Sequence, residues 1–373
     1  MRIGIDARMF GPGHGLGRYV EQLIIHLEKT DRTNQYIVFM KDDTWDLWEP
    51  KYDNFKKVRA NIHWYTFAEQ LKLSSIIKKE QVDLMHFPHW NVPVFYRDPF
   101  MVTIHDLTMF HFARPENSTR SKCMFWIKDK VHRWVVRRVV KHASHIVTTS
   151  DFTKRDLQRV LGTNVEKMTT IYQSPFQEDG WKKTDKKVIR EKGVTKEYVI
   201  YVGAAYPHKN LETLLKAWHV FEEKYGDDYE LVLAGKKNYF YERLLQSSDF
   251  QKCRNIVYVD FPNDSELASL YAWASLYVFP SLYEGYGLPP LEAISYDIPV
   301  VSSNTSCLPE VLGDAALYFD PRNPEHMCNV MRSALINKDI QMMLLQNGRD
   351  RMQELSSKKF ALETLEVYKK YSK

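Results

Sequence analysis

Short apolar stretches alternate along the chain with longer stretches in which apolar residues recur every three or four positions. The short stretches predict buried parallel strands, and the longer ones predict helices that cover both faces of a sheet. In the first half, strands are predicted at 2–6, 36–40, 62–65, 83–87, 101–105, 145–149 and 168–172. Helices are predicted at 16–29, 68–79, 118–142 and 152–161.

The polar segment 173–187 interrupts this pattern and predicts an interdomain linker. A second alternating block follows, with strands predicted at 198–203, 230–234, 256–260, 276–280, 299–302 and 316–319. A helix at 357–371 ends the chain. Because 373 residues exceed the usual size of one hydrophobic core, we expect an α/β protein of two doubly wound domains, with a ligand cleft facing the carboxyl ends of both sheets.

Composition excludes several classes of protein. Hydrophobic residues make up 44% of the chain and charged residues 27%, which is typical of globular domains. No apolar run is long enough to span a bilayer, and the first residues form neither a charged lead nor an apolar leader, so we expect a cytoplasmic protein. The four cysteines are widely spaced, which predicts reduced core thiols and neither disulfides nor a cysteine zinc site.

The net charge is only +5, but basic residues concentrate in the segment 120–141. That segment has one acid, Asp129, and eight basic residues: Arg120, Lys122, Lys128, Lys130, Arg133, Arg137, Arg138 and Lys141. Aromatic and branched residues alternate with them, which predicts a long helix with one basic face. This face is either simply solvated or attracted to anionic lipid headgroups or a phosphate-bearing acceptor. Nucleic acid is not an expected partner, because no recognised binding motif accompanies the charge.

Two loops rich in small residues follow predicted strands and precede predicted helices. The first contains Gly11, Gly13, Gly15 and Gly17. Glycines there either form a tight turn or let the backbone approach a ligand, and the pattern leaves both interpretations open. In the second loop, Gly203 ends a strand and Lys209 stands where a helix begins, which suits binding of a diphosphate by an ammonium group.

The segment VFPSLYEGYGLPPLEA at 278–293 combines a buried strand, a glycine-rich turn and a helix predicted to begin at Pro289 or Pro290. Proline is tolerated in a first helical turn, where its missing N–H needs no partner. Seven residues separate Glu284 in the loop from Glu292 in the helix. Carboxylates at a phosphate-binding turn would repel the ligand unless they bound hydroxyls, so this pair predicts contacts to a sugar and a ribose.

EGYGLPPLEA resembles the Glu-x7-Glu motif of the retaining GT-B glycosyltransferases, in particular family four of the carbohydrate-active classification. The segment PVVSSNTSCLPEVLGDAALYFDP is similar to the one that follows this motif in the family. MRIGIDARMFGPGHGLGRY and YVGAAYPHKN are similar to its first and donor-binding loops, and TIHDL to its histidine-bearing strand end. The resemblance covers essentially the whole chain. It implies an acceptor-binding Rossmann-like domain at 1–173, completed by the helix 357–373, and a nucleotide-sugar-binding Rossmann-like domain at 174–356.

The resemblance also implies roles for individual residues. Lys209 would pair with the donor diphosphate, and Glu292 would hold the ribose hydroxyls. Glu284, together with the amides of 285–288, would contact the sugar and phosphate. His105 would lie near the reacting sugar, with Asp106 either orienting it or capping the next turn. The implied catalytic residues are His105 and Glu284, and the implied donor-binding residues are Gly15, Gly17, Gly203, His208, Lys209, Gly285, Tyr286, Gly287, Leu288 and Glu292.

One position departs from the family pattern. Many members carry Arg shortly after the glycine of the donor loop, where this chain has Ala204. His208 would then replace the missing cation in part, and Lys209 would bear more of the diphosphate binding. Ala204 is also what supports the alternative of a binding module that has lost activity.

No Asp-x-Asp metal motif is present. The adjacent pairs Asp42–Asp43 and Asp227–Asp228 lie in polar loops and are interpreted as solvated turn residues. We therefore expect no metal and no other cofactor, with Lys209 and helix N-termini taking the role of a divalent ion. Since none of the motif residues is an obvious covalent nucleophile, a front-face mechanism that depends on electrostatic stabilisation and positioning is expected.

The favoured function is retaining transfer of a hexose from a nucleoside diphosphate sugar to a hydroxyl of a glycan or lipid-linked acceptor. The appearance of GIDAR, GLGRY and PHKN favours mannosyl or related deoxyhexosyl transfer, with GDP-mannose as the first donor and a UDP-sugar as the second. A GT-B phosphorylase, a nucleotide-sugar epimerase and a non-catalytic nucleotide-sugar or membrane-surface binding module are the alternatives. A nicotinamide dehydrogenase would leave the Glu-x7-Glu loop unexplained. Peripheral association with the inner face of a membrane is the second expectation for location.

Overall fold

The computed structural model describes residues 1–11, 15–113, 122–175 and 186–371. They divide into two compact units, each built on one parallel sheet. The first unit holds the described residues within 1–111, 122–175 and 355–371. The second unit holds residues 112–113 and 186–354. The predicted class, α/β with two Rossmann-like domains, is confirmed.

The sheet of the first unit has seven strands among the described residues: β1 (Arg2–Asp6), β2 (Gln35–Met40), β3 (Phe55–Arg59), β4 (Leu84–Phe87), β5 (Phe100–Ile104), β6 (His145–Thr148) and β7 (Met168–Thr170). They pair in parallel in the order β3-β2-β1-β4-β5-β6-β7. The order reverses beside β1, which is the arrangement of a doubly wound sheet. The loops that follow these strands therefore share one edge.

Helices cover both faces of this sheet. Most of its strands are therefore buried on both sides, and their sequences are nearly continuous apolar runs. They are α1 (Gly15–Thr30), α2 (Ser74–Lys79), α3 (Thr108–His111), α4 (Lys122–His142) and α5 (Asp151–Leu161). A π-helical turn at Glu69–Leu73 leads into α2, and short 3-10 turns lie at Asp42–Leu47 and Val165–Lys167.

The second sheet contains β8 (Glu197–Val202), β9 (Tyr229–Gly235), β10 (Ile256–Asp260), β11 (Leu276–Phe279), β12 (Val300–Ser303) and β13 (Ala316–Phe319). Its order is β10-β9-β8-β11-β12-β13, again parallel. The helices around it are α6 (Lys186–Glu191), α7 (Leu211–Tyr225), α8 (Tyr239–Leu245), α9 (Ser248–Lys252), α10 (Asp264–Ala272), α11 (Leu288–Ser295), α12 (Leu308–Leu312), α13 (Pro324–Ile336) and α14 (Lys338–Glu354).

The last helix, α15 (Ser357–Tyr371), belongs to the first unit. Phe360 and Leu365 join the buried cluster that contains Ile3 of β1 and Leu23 of α1. The Tyr368 hydroxyl bonds to Nδ1 of the buried His86 at 2.7 Å. A helix from the end of the chain thus completes the core of the first unit, as the resemblance implied.

The strand predicted at 62–65 is wrong, and β3 at Phe55–Arg59 takes its place at the sheet edge. Tyr65 has φ +61, which a strand residue cannot adopt. Ile62 donates its N–H to the nearby Ala60 carbonyl at 2.6 Å instead of joining a ladder. β3 was missed because it carries Lys56, Lys57 and Arg59, charges that are typical of an edge strand and dilute the apolar signal.

One other expectation changes. Cys307 and Cys328 are buried as predicted, but Cys123 is exposed at the start of α4 and is not a core thiol. The predicted start of the basic helix at 118 and most of the predicted linker fall at 114–121 and 176–185, outside the described residues. None of the helices in the described part of the chain is both long and apolar enough to cross a bilayer.

A buried ion cluster lies at the carboxyl edge of the first sheet. Arg8 donates from Nε and Nη2 to the two carboxylate oxygens of Asp6, at 2.8 and 2.7 Å, and from Nη2 to Glu69 Oε1 at 2.6 Å. The side chains of Arg8 and Glu69 are each 1% exposed. Burial opposes the charge of Arg8, but the two carboxylates hold its pKa above the ordinary value. The cluster fixes the segment before α2 against the end of β1.

Replacing Arg8 with Met should lower the free energy of unfolding by about 3 kcal/mol, because two buried carboxylates lose their partner. Arg59→Met, which removes an exposed ion pair with Asp42, should cost less than about 1 kcal/mol. Scanning calorimetry of the full chain measures both variants. Equal, small effects would show that the buried cluster does not stabilise the first unit.

Candidate active site

The donor loop of the second unit begins at the end of β8. Gly203 has φ +149, a conformation that favours glycine. A Cβ at this position would lie 2.9 Å from the hydroxyl oxygen of Tyr201. Tyr201 donates a hydrogen bond to the Ala204 carbonyl at 2.8 Å, and Tyr241 donates one to the Gly203 carbonyl at 2.8 Å. Two buried phenols therefore fix the backbone where many family members carry Arg.

Asn210 locks the other end of this loop. It has φ +62 and separates the 3-10 turn Pro207–Lys209 from α7. Its Nδ2 donates to the carbonyls of Pro280 and Pro321, at 3.0 and 2.8 Å, and its Oδ1 accepts from the Thr213 hydroxyl at 2.7 Å. No role was predicted for Asn210 from the sequence. The sequence feature that could have indicated its role is the position of an Asn, a residue that tolerates left-handed backbone, directly before a predicted helix.

The structure brings Lys209 and Glu284 together. Lys209 Nζ lies 2.6 Å from Glu284 Oε1, and the two side chains are only 18% and 13% exposed. The Leu282 N–H donates to the His208 carbonyl at 2.7 Å, and the Glu284 N–H donates to the Ser306 hydroxyl at 3.1 Å. The first bond joins the donor loop to the loop after β11, and the second joins the loop after β11 to the loop after β12. The predicted diphosphate cation and the predicted sugar-binding carboxylate thus form one unit.

The glycine-rich turn leads into α11. The helix begins at Leu288, one residue before the earliest predicted start, with Pro289 and Pro290 in its first turn. Gly287 has φ +94, and a Cβ there would lie 2.8 Å from Leu308 Cδ2. This position therefore requires glycine for both its backbone and its packing.

Glu292 is half-buried in the second turn of α11. Burial, the neighbouring Tyr271 and then the carboxylates of Glu292 and Glu284 raise the pKa of buried Tyr277 well above its ordinary value. Both carboxylates of the motif therefore lie near enough to Tyr277 to act on the pKa of this one phenol.

Two further predicted residues lie on the loops that carry Glu284 and Lys209. Tyr286 is buried between Gly285 and Gly287, and its carbonyl accepts a hydrogen bond from the Cys307 thiol at 3.2 Å. The His208 ring lies nearly parallel to Tyr206, with centroids 5.9 Å apart. The side chain of His208 is thus placed by aromatic packing on the same turn that carries Lys209.

In the first unit, Gly15 and Gly17 form the first turn of α1. Gly11 has φ +113, which fits a turn after β1, and Gly13 lies outside the described residues. Helix N-terminal N–H groups bind anions or hydroxyls. The described part of the glycine loop is therefore compatible with both interpretations left open by the sequence.

His105 follows β5 at the edge of the first sheet. Its Nε2–H donates to the Pro88 carbonyl at 2.8 Å, which leaves Nδ1 unprotonated when the ring is neutral. Burial lowers the pKa of His105, and the edge of the Tyr19 ring packs on it at 4.7 Å. Asp106 accepts the Thr108 N–H at 2.7 Å and so caps the next turn, one of its two predicted roles.

No group of three or more potential metal ligands occurs among the described residues. Asp42 bonds to Asn61 at 2.6 Å and also pairs with Arg59. Asp43 pairs with Lys41 at 2.6 Å. Asp42 and Asp43 therefore serve local contacts at the start of a 3-10 turn.

Two family descriptions match the two parts of the chain. "Glycosyltransferase Family 4" matches residues 13–173, and "Glycosyl transferases group 1" matches residues 182–351. Together the two matches extend over most of the sequence. The chain belongs to the family-four type of GT-B glycosyltransferases. The resemblance stated from its motifs is thus confirmed.

Two relatives of this glycosyltransferase are named O-antigen chain mannosyltransferases. It is 27% identical over 258 residues to the O-antigen chain mannosyltransferase RfbU of Salmonella typhimurium, covering 69% of this chain and 66% of that protein. It therefore spans just under two thirds of RfbU. It is also 27% identical over 297 residues to O-antigen chain mannosyltransferase B of Escherichia coli, covering 77% and 74%.

The fold is shared with solved structures of low identity. Anabaena Alr3699/HepE, crystallised in complex with UDP-glucose, matches the glycosyltransferase with a TM-score of 0.73 at 15% identity. The match covers 99% of this chain and all of that one. The structural similarity supports a shared GT-B fold, but at 15% identity it does not identify the substrate.

Six histidines of the first unit have pKa values lowered chiefly by burial. The values are about 3 for His86 and His89 and about 4 for His26 and His145, and the pKa is also lowered for His105 and His132. Unfolded histidines titrate near pH 6.5, so below that pH the unfolded chain binds protons that the folded chain does not. Stability therefore falls as the pH falls.

Lowering the pH from 7 to 5 should destabilise the first unit by about 2 kcal/mol for each histidine that stays neutral. Melting temperatures across this range measure the effect. His26→Gln should reduce the pH dependence, whereas His142→Gln, at an exposed site, should not. A melting temperature that is constant between pH 7 and 5 would contradict this assignment.

Proposed function

We propose that the chain is a retaining, metal-independent hexosyltransferase that moves mannose from GDP-mannose to a hydroxyl of a glycan or lipid-linked acceptor. The observation that carries the proposal is the ion pair between Lys209 and Glu284. A cation that would bind the diphosphate lies beside a carboxylate that would bind the sugar, and the carboxylate belongs to a loop that leads into a helix N-terminus. The mannosyltransferase names of RfbU and of its E. coli counterpart support mannose.

Three groups of the second unit have complementary roles toward the donor. Lys209 stabilises the diphosphate as it leaves with an extra negative charge, and the N-terminal amides of α11 add to that stabilisation. Glu292 accepts hydrogen bonds from the ribose hydroxyls. Glu284 accepts bonds from the sugar hydroxyls while it holds Lys209 in place.

The transfer itself needs no covalent enzyme intermediate. The bond from the anomeric carbon to the phosphate oxygen breaks, and a bond from that carbon to the acceptor hydroxyl oxygen forms on the same face. The hydroxyl proton passes to the leaving phosphate oxygen. Because the new bond forms on the face from which the phosphate leaves, the anomeric configuration is retained. The protein contributes positioning and charge stabilisation. His105 is neutral at pH 7 and takes the role of a hydrogen-bonding group near the reacting sugar.

Product analysis tests this proposal. The full chain, GDP-mannose and a mannoside acceptor are incubated with EDTA, and the product is analysed by NMR. An α-linked mannoside supports retention without metal. A β-linked product or transfer only with a divalent ion would contradict it. Transfer from UDP-glucose in place of GDP-mannose would favour the second donor, for which the UDP-glucose complex of HepE is the supporting observation.

Lys209→Ala should raise the dissociation constant for GDP at least tenfold, because a charged hydrogen bond contributes roughly 1.5 to 3 kcal/mol. Lys216→Ala on α7 is the matched control, since that lysine is exposed and its nearest acid, Asp249, lies 3.8 Å away. Titration calorimetry with GDP and EDTA measures both variants. Unchanged GDP affinity in Lys209→Ala would remove Lys209 from the diphosphate site.

Helix α4 adds a membrane surface to the proposal. Two of its predicted basic-face residues are occupied otherwise: Arg133 pairs with Asp129 at 2.7 Å, and Arg138 Nε donates to the Val94 carbonyl at 2.9 Å. The free face differs from the one predicted. It exposes Ile127, Val131 and Trp134, each more than half accessible, with Lys130, Arg137 and Lys141 at helical spacing beside them. Apolar and basic groups on one exposed face suit an anionic lipid surface.

Replacing Lys130, Arg137 and Lys141 with Glu should at least halve co-sedimentation with vesicles that contain phosphatidylglycerol. The same charge change at Lys358, Lys359 and Lys369 of α15 is the control and should have a smaller effect. The original chain and both triple variants should bind only weakly to vesicles of neutral phosphatidylcholine. Equal binding by the two triple variants would exclude α4 as the membrane surface.

A further inference from the structure

An exposed aromatic ring in the first unit is held in an unfavourable backbone conformation. Tyr65 is 56% exposed and has φ +61, the left-handed region that disfavours bulky side chains. Its N–H donates to Glu69 Oε2 at 2.9 Å, so the buried ion cluster of Arg8 imposes this conformation. Strain of this kind persists where the surroundings enforce it and is common at ligand-binding sites.

Tyr65 and Trp90 form a corner at the carboxyl edge of the first sheet. Tyr65 lies in the segment after β3, and Trp90 follows β4. Their ring centroids are 5.3 Å apart at an interplanar angle of 36°. Trp90 is half-buried and packs edge-to-face on His132 at 4.2 Å, which fixes its orientation. Two aromatic rings beside the polar ring of His89, whose centroid is 4.4 Å from that of Trp90, suit a ligand that has both apolar and hydroxyl-bearing faces.

His89 supplies the polar atom of this corner. Asn91 Nδ2 donates to Glu69 Oε1 at 3.1 Å, which directs Asn91 Oδ1 toward His89 Nδ1 at 3.1 Å. His89 Nδ1 therefore carries the proton, and the Tyr65 hydroxyl also lies 3.3 Å from it. Burial and His105 lower the pKa of His89 to about 3, so the ring is neutral at pH 7. Its Nε2 lone pair has no partner among the described residues.

We propose that Tyr65 and Trp90 bind a pyranose ring of the acceptor glycan, with His89 Nε2 accepting a hydrogen bond from one of its hydroxyls. The apolar C–H face of the sugar packs on the aromatic rings. This inference rests on the proposed glycosyltransferase function, whose acceptor it contacts. The corner lies beside the predicted catalytic residue, because the His89 and His105 rings are 6.3 Å apart. Tyr65, Trp90 and His89 are thus specificity-determining residues for the acceptor.

The substitution Tyr65→Gly separates a binding role of this residue from a structural one. Tyr65→Gly removes the ring but suits the left-handed backbone, so its melting temperature should equal or exceed that of the original chain. The probes are methyl α-pyranosides of mannose, glucose, galactose and rhamnose, observed by saturation-transfer NMR on the full chain. At least one should bind, and Tyr65→Gly should weaken its binding at least tenfold. Trp90→Ala should weaken it similarly.

Phe67→Gly is the matched control, because Phe67 is 89% exposed two residues away, and it should leave pyranoside binding unchanged. GDP titrations of the same proteins keep the two proposals apart, since GDP affinity should not change in any of these variants. Failure of every pyranoside to bind would overturn the proposed sugar site at the corner. Pyranoside binding by Tyr65→Gly equal to that of the original chain, or a melting temperature lowered by several degrees in that variant, would also overturn it. If the original chain binds pyranoside but no nucleotide, the proposed function fails and the sugar site at the corner stands.

Discussion

The ion pair between Lys209 and Glu284 connects two loops that are 75 residues apart in the chain and holds the candidate donor site together. Both groups are mostly buried, so neither is stable there without its partner. Asn210 and the His208 carbonyl reinforce the same junction with neutral hydrogen bonds. The loops after β8 and β11 therefore keep a fixed separation, which is the condition for presenting a cation and a carboxylate to one ligand.

A second polar cluster organises the first unit in a comparable way. Arg8 joins the end of β1 to Glu69, and Glu69 in turn orients Asn91 and the Tyr65 backbone. These residues follow three different strands, yet parallel pairing brings their loops to one edge. The charged groups are buried. The groups that they position keep parts that can contact a ligand: the exposed ring of Tyr65 and, among the described residues, Nε2 of His89.

The sequence predicted most of the fold because buried parallel strands and amphipathic helices leave clear periodic patterns. Thirteen strands were predicted, and twelve of them match strands of the described residues. The strand that was predicted at the wrong place is β3, which carries three charges on five residues. Exposure on α4 was predicted less well, since the pattern of apolar residues does not reveal that Ile127 and Trp134 are left uncovered. The place of an edge strand and the exposure of a helix face depend on long-range contacts and on which elements pack against them. The periodicity of apolar residues holds no information about either.

For the candidate site, the sequence predicted several of the residues but not which of them contact one another. Motifs pointed to Lys209, Glu284 and Glu292 separately, but no spacing indicated that the first two would pair. Tyr65 was missed because its role depends on a positive φ angle, which becomes visible only in the folded chain. Asn210 had a weak sequence signal, an Asn directly before a helix, that was not used.

The central claim is that the second unit binds a nucleoside diphosphate sugar without metal. A thermal-shift panel of GDP, UDP, ADP, CDP and dTDP with their sugars, all in EDTA, tests it most directly, because a ligand of the folded state raises its melting temperature by mass action. The account predicts stabilisation by GDP and GDP-mannose above the other nucleotides. The absence of a shift with every nucleotide would contradict it.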